Sequence, residues 1–287
     1  MLEINKIHQG NSAELLKQIE DNLIDLTVTS PPYDNLRDYK GYSFDFETIA
    51  KELYRVTKEG GVIVWVVGDA TINGSETGTS FKQALRFMEV GFNLHDTMIF
   101  KKMNPIPQIY RKRYNNEFEY MFIFSKGKVK THNPIMVDTL HAGLKLNGTT
   151  YKNYSRGIQV RKKLAKPVKD KKIKGNVWKY VVGKKAEDQE AKEHPAPFPC
   201  QLVRDHISSW SNKGDIVLDP FVGSGTTCEI AKLQGRKFIG IDISEDYCKI
   251  ARKRIRQESL LSLDTKQNGG NGIPPTNKLV GILPKIL

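Results

Sequence analysis

Apolar residues along this chain recur in two alternating rhythms. Phe46, Ile49, Ala50, Leu53 and Val56 keep the three-and-four spacing of one helical face, and Gly60-Gly61 is expected to end that helix. An unbroken apolar run over 62–67 follows, the pattern of a strand covered on both sides. The pair repeats: Phe81, Ala84, Leu85 and Met88 predict a helix, 92–100 a strand, and 118–124 a further strand closed by Ser125-Lys126-Gly127. Upstream, 4–7 reads as a short strand and 24–29 as another. Between them Asn11, with Glu14 three residues on, resembles a capping box opening a helix through Leu15, Leu16 and Ile19. Periodicity fades from about 128 to 193 and then resumes as strand 216–218, helix 226–233, strand 238–243 and helix 247–255. Beyond 257, Gly269, Gly270, Gly272, Pro274 and Pro275 predict a flexible tail, although 279–287 is apolar enough to dock. There is no internal repeat. Strands alternating with helices predict a doubly wound α/β fold with a mostly parallel sheet covered on both faces.

A length of 287 residues suits one large domain with an insertion, or two small domains. No apolar run approaches the roughly 18 to 20 residues a bilayer requires, and the start MLEINKIHQG lacks an apolar signal core. Cys200, Cys228 and Cys248 are far apart and form no CxxC pair, so neither a disulfide framework nor a zinc site is expected, and a reducing cytoplasm fits. Lys plus Arg exceed Asp plus Glu by 45 − 32 = +13, a balance that attracts polyanions and points first to nucleic acid. Between Lys145 and Lys192 there are 15 basic residues against 4 acids, a local +11, so one segment supplies nearly the whole excess. Tyr151, Tyr154, Trp178 and Tyr180 interleave with it, the composition of a nucleic-acid surface; a solvated lysine-rich loop is the alternative. Lys162, Lys163, Lys171, Lys172 and Lys174 are the candidate phosphate contacts.

Two short stretches carry candidate chemistry. Asp219-Pro220-Phe221-Val222-Gly223-Ser224-Gly225-Thr226-Thr227 lies between a predicted strand and a predicted helix, where glycines permit close backbone approach and a helix start offers unpaired N–H groups. Asp242 follows Gly223 by 19 residues at the next strand end, the offset at which an acid grips ribose hydroxyls. A dinucleotide fingerprint would need a third glycine at position 228, where Cys228 stands, so an adenosine ligand without a pyrophosphate suits the loop better. The second stretch is Thr29-Ser30-Pro31-Pro32-Tyr33. Two consecutive prolines can neither donate ladder bonds nor enter a helix interior, so the strand must stop there in a stiff loop.

Ser-Pro-Pro-Tyr together with Asp-Pro-Phe-Val-Gly-Ser-Gly-Thr-Thr resembles the amino-directed DNA methyltransferases that use S-adenosylmethionine. The resemblance extends to 52–56 before Gly60-Gly61, to 118–124, to Val177-Trp178, to 194–199, and to Gly240-Ile241-Asp242 followed by Tyr247. It covers roughly 1–127 and 176–256. The catalytic loop precedes the cofactor loop, an order similar to the permuted β group. The resemblance implies a Rossmann-like methyltransferase sheet whose catalytic half is 1–127 and whose cofactor half is 194–256, with a basic target-recognition insert at 128–193 and a tail at 257–287. It implies Ser30, Pro31, Pro32 and Tyr33 as catalytic residues. Asp219 would hold the cofactor's methionine amino group, Phe221, Gly223, Ser224, Gly225 and Thr226 would wall its pocket, Asp242 would hold its ribose, and His194, Pro197 and Phe198 would close over the methionine end. Its implied partners are double-stranded DNA, a second copy of the chain, and a restriction endonuclease acting on the same site, with a bacterial or phage origin, no membrane and no metal.

Family members often carry an acid where this chain has Asn11, which could hydrogen-bond adenine or cap a helix; Asp69 is likewise a candidate ligand or a loop cap. In this family serine before Pro-Pro-Tyr goes more with cytosine-N4 targets, and aspartate or asparagine with adenine-N6. The expectation is therefore a cytosine-N4 methyltransferase, with an adenine-N6 methyltransferase or a non-enzymatic DNA-binding protein as the alternatives.

Overall fold

The computed structural model describes residues 1–32, 44–105, 107, 112–144, 149–153, 159–163, 167–182 and 198–267. Its centre is an eight-stranded sheet. In chain order its strands are β1 (Lys6–Gln9), β2 (Ile24–Thr29), β3 (Thr57–Val67), β6 (Asn93–Lys102), β7 (Phe118–Ser125), β12 (Val177–Tyr180), β13 (Ile216–Asp219) and β14 (Lys237–Asp242). They lie side by side as β1-β14-β13-β2-β3-β7-β6-β12, parallel throughout except for β7, which runs against both β3 and β6.

Pleating sends alternate residues of β3 to opposite faces, which is why its run is continuously apolar. Val62, Val64 and Val66 join one core with residues of α4 (Cys200–Trp210), α5 (Thr226–Leu233) and α6 (Glu245–Gln267). Ile63, Trp65 and Val67 join the other with α1 (Ser12–Leu15), α2 (Phe46–Val56) and α3 (Thr79–Val90). Both faces are therefore covered, and the doubly wound α/β architecture is as expected. None of the described helices is long and apolar enough to cross a membrane.

Several boundaries differ from the pattern-based reading. β1 begins at Lys6 because Asn5 turns through φ 64°, and α1 passes after one turn into a 3₁₀ turn, Leu16–Gln18. Gly60-Gly61 terminates nothing: α2 already stops at Val56, and the glycines lie inside β3, where Gly60 takes φ 80°. α4 has no counterpart among the predicted elements, although Leu202, Val203, His206, Ile207 and Trp210 bury one face of it. A two-residue hairpin, β4 (Thr71–Ile72) with β5 (Ser75–Glu76), was likewise unmarked. α6 continues to Gln267, so residues 257–267, expected to begin a flexible tail, are helical.

The basic segment contains two small antiparallel ladders, β8 (Met136–Asp138) with β11 (Lys171–Ile173) and β9 (Thr149–Asn153) with β10 (Gln159–Lys163). Its expected end at 193 overshoots the sheet's edge strand, since Val177–Tyr180 pairs with β6. Trp178 and Tyr180 are accordingly 5% and 6% exposed, and they serve the core instead of a nucleic-acid surface. Trp178 stacks on the fully buried His206 ring of α4 at 4.7 Å, and burial pushes that imidazole down to about 3, so it stays neutral.

Candidate functional site

β2 and β13 are parallel neighbours, with Leu26 opposite Val217 and Thr27 opposite Leu218. Their carboxyl ends, where ligands of open α/β sheets bind, therefore release the proline loop and the glycine loop side by side. The two loops are bonded to each other. Thr29 Oγ1 donates to Asp219 Oδ1 at 2.6 Å, and Thr227 Oγ1 donates to the Val28 carbonyl at 3.3 Å. Pro31 is buried, Ser30 and Pro32 are half-buried, and Tyr33 lies outside the described residues.

Asp219 is buried at the end of β13. Its carboxylate accepts from the Thr29 hydroxyl and from the Phe221 amide, 3.1 Å away, with the Thr227 hydroxyl alongside, and all three groups are neutral. Burial raises it from an ordinary value near 3.8 to about 6, these polar neighbours only partly offsetting this, and the nearby Asp242 carboxylate adds to the rise. A buried carboxylate with no cationic partner among the described residues is suited to receive a cationic group. Ser12 Oγ anchors the following turn by donating to the Pro220 carbonyl at 2.5 Å.

Asp242, at the end of β14, closes the glycine loop from the other side. Its Oδ2 accepts from the Gly223 amide at 2.8 Å and its Oδ1 from the Ser244 amide at 2.9 Å. Burial raises it too, against the backbone bonds from Ser244, Gly223 and Ile243 that lower it. Gly225 takes φ 92°, and a Cβ there would sit 2.8 Å from Ala251 Cβ on α6, so only glycine lets the loop and helix meet. Phe221 packs edge-on against Phe44 and Trp65, at 5.5 and 6.1 Å between centroids. Ser224 and Thr226 are buried. The Thr226 hydroxyl, at the start of α5, accepts from Arg254 Nη1 at 3.1 Å.

Ser30, Pro31, Pro32, Asp219, Phe221, Gly223, Ser224, Gly225, Thr226 and Asp242 thus share the carboxyl edge of the sheet. Phe198 is half-buried against the core just before α4, whereas His194 and Pro197 lie outside the described residues. Lys171 and Lys172 are exposed on β11. Lys174 is tied inward, its Nζ 4.5 Å from the Trp178 ring centre and 3.5 Å from Asp205 Oδ2, so it is a joint in the fold more than a free phosphate contact. Lys162 and Lys163 belong to β10, with their side chains outside the description.

Both open readings resolve as caps: Asn11 Oδ1 accepts from the Ala13 amide at 2.8 Å to start α1, and Asp69 accepts from the Ser80 amide at 2.9 Å at the start of α3. The sequence reading missed the brace made by Thr29, Thr227 and Ser12. Its only signal was hydroxyl residues placed at strand and helix ends beside the two loops.

Comparison with known proteins agrees with this geometry. A family model described as DNA methylase matches residues 24–253. Orphan methyltransferase M.BamHII of Bacillus amyloliquefaciens is 53% identical over 251 residues, covering 85% of this chain and 93% of that protein. Type II methyltransferase M.HinfI of Haemophilus influenzae is 30% identical over 301 residues, covering 92% and 73%. Among solved structures, PvuII DNA methyltransferase (cytosine-N4-specific) aligns with a TM-score of 0.64 at 21% identity over 92% of this chain and 93% of that one. The complex of M1.HpyAVI with SAM aligns at 0.59 and 23% identity over 87% and 98%. At these identities the two structures speak to the fold.

Proposed function

The chain belongs to the DNA methylase family, and on that premise we propose that it transfers a methyl group to the N4 amine of a cytosine flipped out of double-stranded DNA. Membership makes it an S-adenosylmethionine-dependent DNA methyltransferase acting on base amino groups. The choice of cytosine rests on Ser30, and the residue roles below are part of the proposal.

The observation that carries the reading is the bond from Thr29 Oγ1 to Asp219 Oδ1, which holds the proline loop against the glycine loop. Methyl transfer between two bound partners needs them within reach of each other, and this brace fixes that spacing before either arrives. When bound, the cofactor supplies an electrophilic methyl group on a sulfonium. Asp219 receives its ammonium group, a fit favoured by the neutral groups that surround this buried carboxylate among the described residues. Asp242 accepts from the ribose hydroxyls with the acceptor capacity left over by the backbone amides it holds in place, Gly223 and Ser244 among them.

The exocyclic amine is a poor nucleophile because its lone pair is delocalised into the ring. Two acceptors aimed at its hydrogens favour a tetrahedral nitrogen and free that pair. The Ser30 hydroxyl and the Pro31 carbonyl are those acceptors, and the prolines hold them without reorganisation during reaction. Extruding the base costs a few kcal/mol, of which stacking on Tyr33 returns about 1–3 kcal/mol. Lysines of the basic segment, the exposed Lys171 and Lys172 among them, hold the duplex backbone. M.BamHII is named an orphan methyltransferase, which favours action without a partner nuclease.

The test is to digest DNA treated with the enzyme and cofactor to nucleosides and identify the modified one by mass. N4-methyldeoxycytidine is expected. N6-methyldeoxyadenosine would move the target to adenine, and the absence of any methylated nucleoside across varied DNA would overturn the transfer itself.

A further inference from the structure

α6 turns an arginine inward. Cys248, Ala251 and Ile255 form its apolar stripe against the core, while Lys249, Lys253 and Arg256 are exposed, as the spacing of a surface helix requires. Arg254 breaks the pattern. It is 4% exposed and ion-paired with the equally buried Glu229 of α5, at 2.5 Å between Nε and Oε2. Taking two charges out of water is costly, and a well-packed apolar pair in their place is often as stable or more so. The contact between the two helices has other support. Cys228, Ile230 and Ala231 of α5 share a core with Ala251 and Ile255, and Lys232 Nζ donates to the Ile255 carbonyl at 2.9 Å. Adhesion of α5 to α6 therefore does not account for a buried ion pair.

The geometry of the pair does account for it. A guanidinium is planar, and its donors are fixed relative to one another. With Nε on Glu229, Nη1 meets the Thr226 hydroxyl at 3.1 Å and Nη2 meets Cys200 Sγ at 3.4 Å. Thr226 is the first residue of α5, directly after Gly223-Ser224-Gly225, and the Glu229 amide returns to the Gly225 carbonyl at 3.0 Å. Cys200 is the first residue of α4, directly after Phe198 and Pro199. One rigid plane thus sets the first turn of α5 against the first turn of α4. The same α5 turn is fixed toward the sheet as well, since Thr227 Oγ1 donates to the Val28 carbonyl near the end of β2. The glycine loop is thereby clamped between the strand that carries the proline loop and the entry to α4.

We propose that Arg254 is a positioning residue for S-adenosylmethionine, holding the glycine loop and the start of α4 at the separation the cofactor needs before it binds. It acts through Thr226, Glu229 and Cys200, and its role rests on the assignment of the glycine loop as the cofactor site. Two variants separate positioning from support of the fold. In Arg254→Met/Glu229→Leu both charges leave together and apolar volume remains, so the protein should melt close to wild type yet bind S-adenosylmethionine about tenfold more weakly in titration calorimetry. Arg254→Lys keeps a cation beside Glu229, but a single ammonium cannot span Thr226 and Cys200. It should melt close to wild type and raise the KM for the cofactor about tenfold, with kcat within about twofold of wild type. The amides of Val203 and Glu229 close the first turns of α4 and α5 onto Pro199 and Gly225, at 3.2 and 3.0 Å. In cofactor-free protein both should exchange hydrogen faster in the variants, while amides of β2 and β13 keep their wild-type rates. Wild-type cofactor affinity in either variant that melts like wild type would overturn the proposal. So would a large fall in melting temperature in both, because the pair would then be supporting the fold. Asp219→Asn checks the site itself. If it binds the cofactor as tightly as wild type, the assignment of the glycine loop fails; if it binds weakly while the Arg254 variants bind normally, only the positioning role fails.

Discussion

Asp219 is the residue on which folding and the proposed cofactor binding pull in opposite directions. Burial holds its folded value near 6, above the ordinary 3.8, so its ionisation opposes folding. Its contribution to stability is complete below about pH 3.8 and is lost as pH rises through about 6. With each unit worth about 1.4 kcal/mol, the strain on the cofactor-free protein at neutral pH is about 2–3 kcal/mol. Asp219→Asn removes the charge and keeps the shape. The cofactor-free variant should therefore melt several degrees above wild type at pH 7.5, with the gap closing at pH 4, while its affinity for S-adenosylmethionine falls at least tenfold. Wild-type affinity should itself decline as pH drops below about 6. Scanning calorimetry and titration calorimetry at the two pH values check both arms. A buried acid after an apolar strand could be read from the sequence, as could the two loops. The roles of Asn11 and Asp69 could not, because capping and ligand binding ask for the same short acceptor at the same kind of place.

Among the elements, α6 shapes the glycine loop. Ala251 presses on Gly225, and one turn later the buried Arg254 donates to Thr226 Oγ1 at 3.1 Å and to the half-buried Cys200 Sγ at 3.4 Å, while its Nε meets the buried Glu229 at 2.5 Å. One helix thereby aligns the glycine loop with the segment entering α4. Two glycines separate the contributions. Gly225 and Gly235 both have positive φ, 92° and 75°, but a Cβ on Gly235 would approach nothing nearer than the flexible Lys213 side chain at 3.6 Å. Gly235→Ala should cost about 1–2 kcal/mol, from the left-handed backbone alone. Gly225→Ala adds a collision with Ala251 for a total of about 3–4 kcal/mol and should weaken cofactor binding as well. Urea denaturation of both variants, with cofactor titration at 15 °C, separates them; equal costs would mean that α6 yields easily. Elements were legible wherever one rhythm ran for a whole element. α4 was overlooked because His206 and Trp210 interrupt its short aliphatic pattern, and Gly60-Gly61 misled because a strand can absorb two glycines at an irregularity in its pairing.

For the whole molecule, the excess charge of +13 sits mainly on a segment that is partly structural, so composition alone overstated how much of it faces DNA. Trp178 and Tyr180 sit in the core, and Lys174 is held between their rings and Asp205, with Tyr180 Oη also donating to Asp205 at 2.7 Å. Lys171 and Lys172 are exposed on a short ladder, with no such ties among the described residues. Charge counting treats the three alike; the fold does not. A lysine that neutralises a phosphate releases a counterion, and its loss should lower the log–log salt slope of DNA binding by about 0.9. Lys171→Ala and Lys172→Ala should each flatten the slope by about that amount and leave the melting temperature unchanged. Lys174→Ala should do the reverse, leaving the slope intact and costing about 1 kcal/mol of stability through the lost ring and carboxylate contacts. Fluorescence anisotropy across a salt series, run beside thermal melts, reads both quantities on the same three variants. If Lys174→Ala changes the slope as much as the other two, the lysine leaves its aromatic seat when DNA arrives, and the edge strand becomes part of the binding surface.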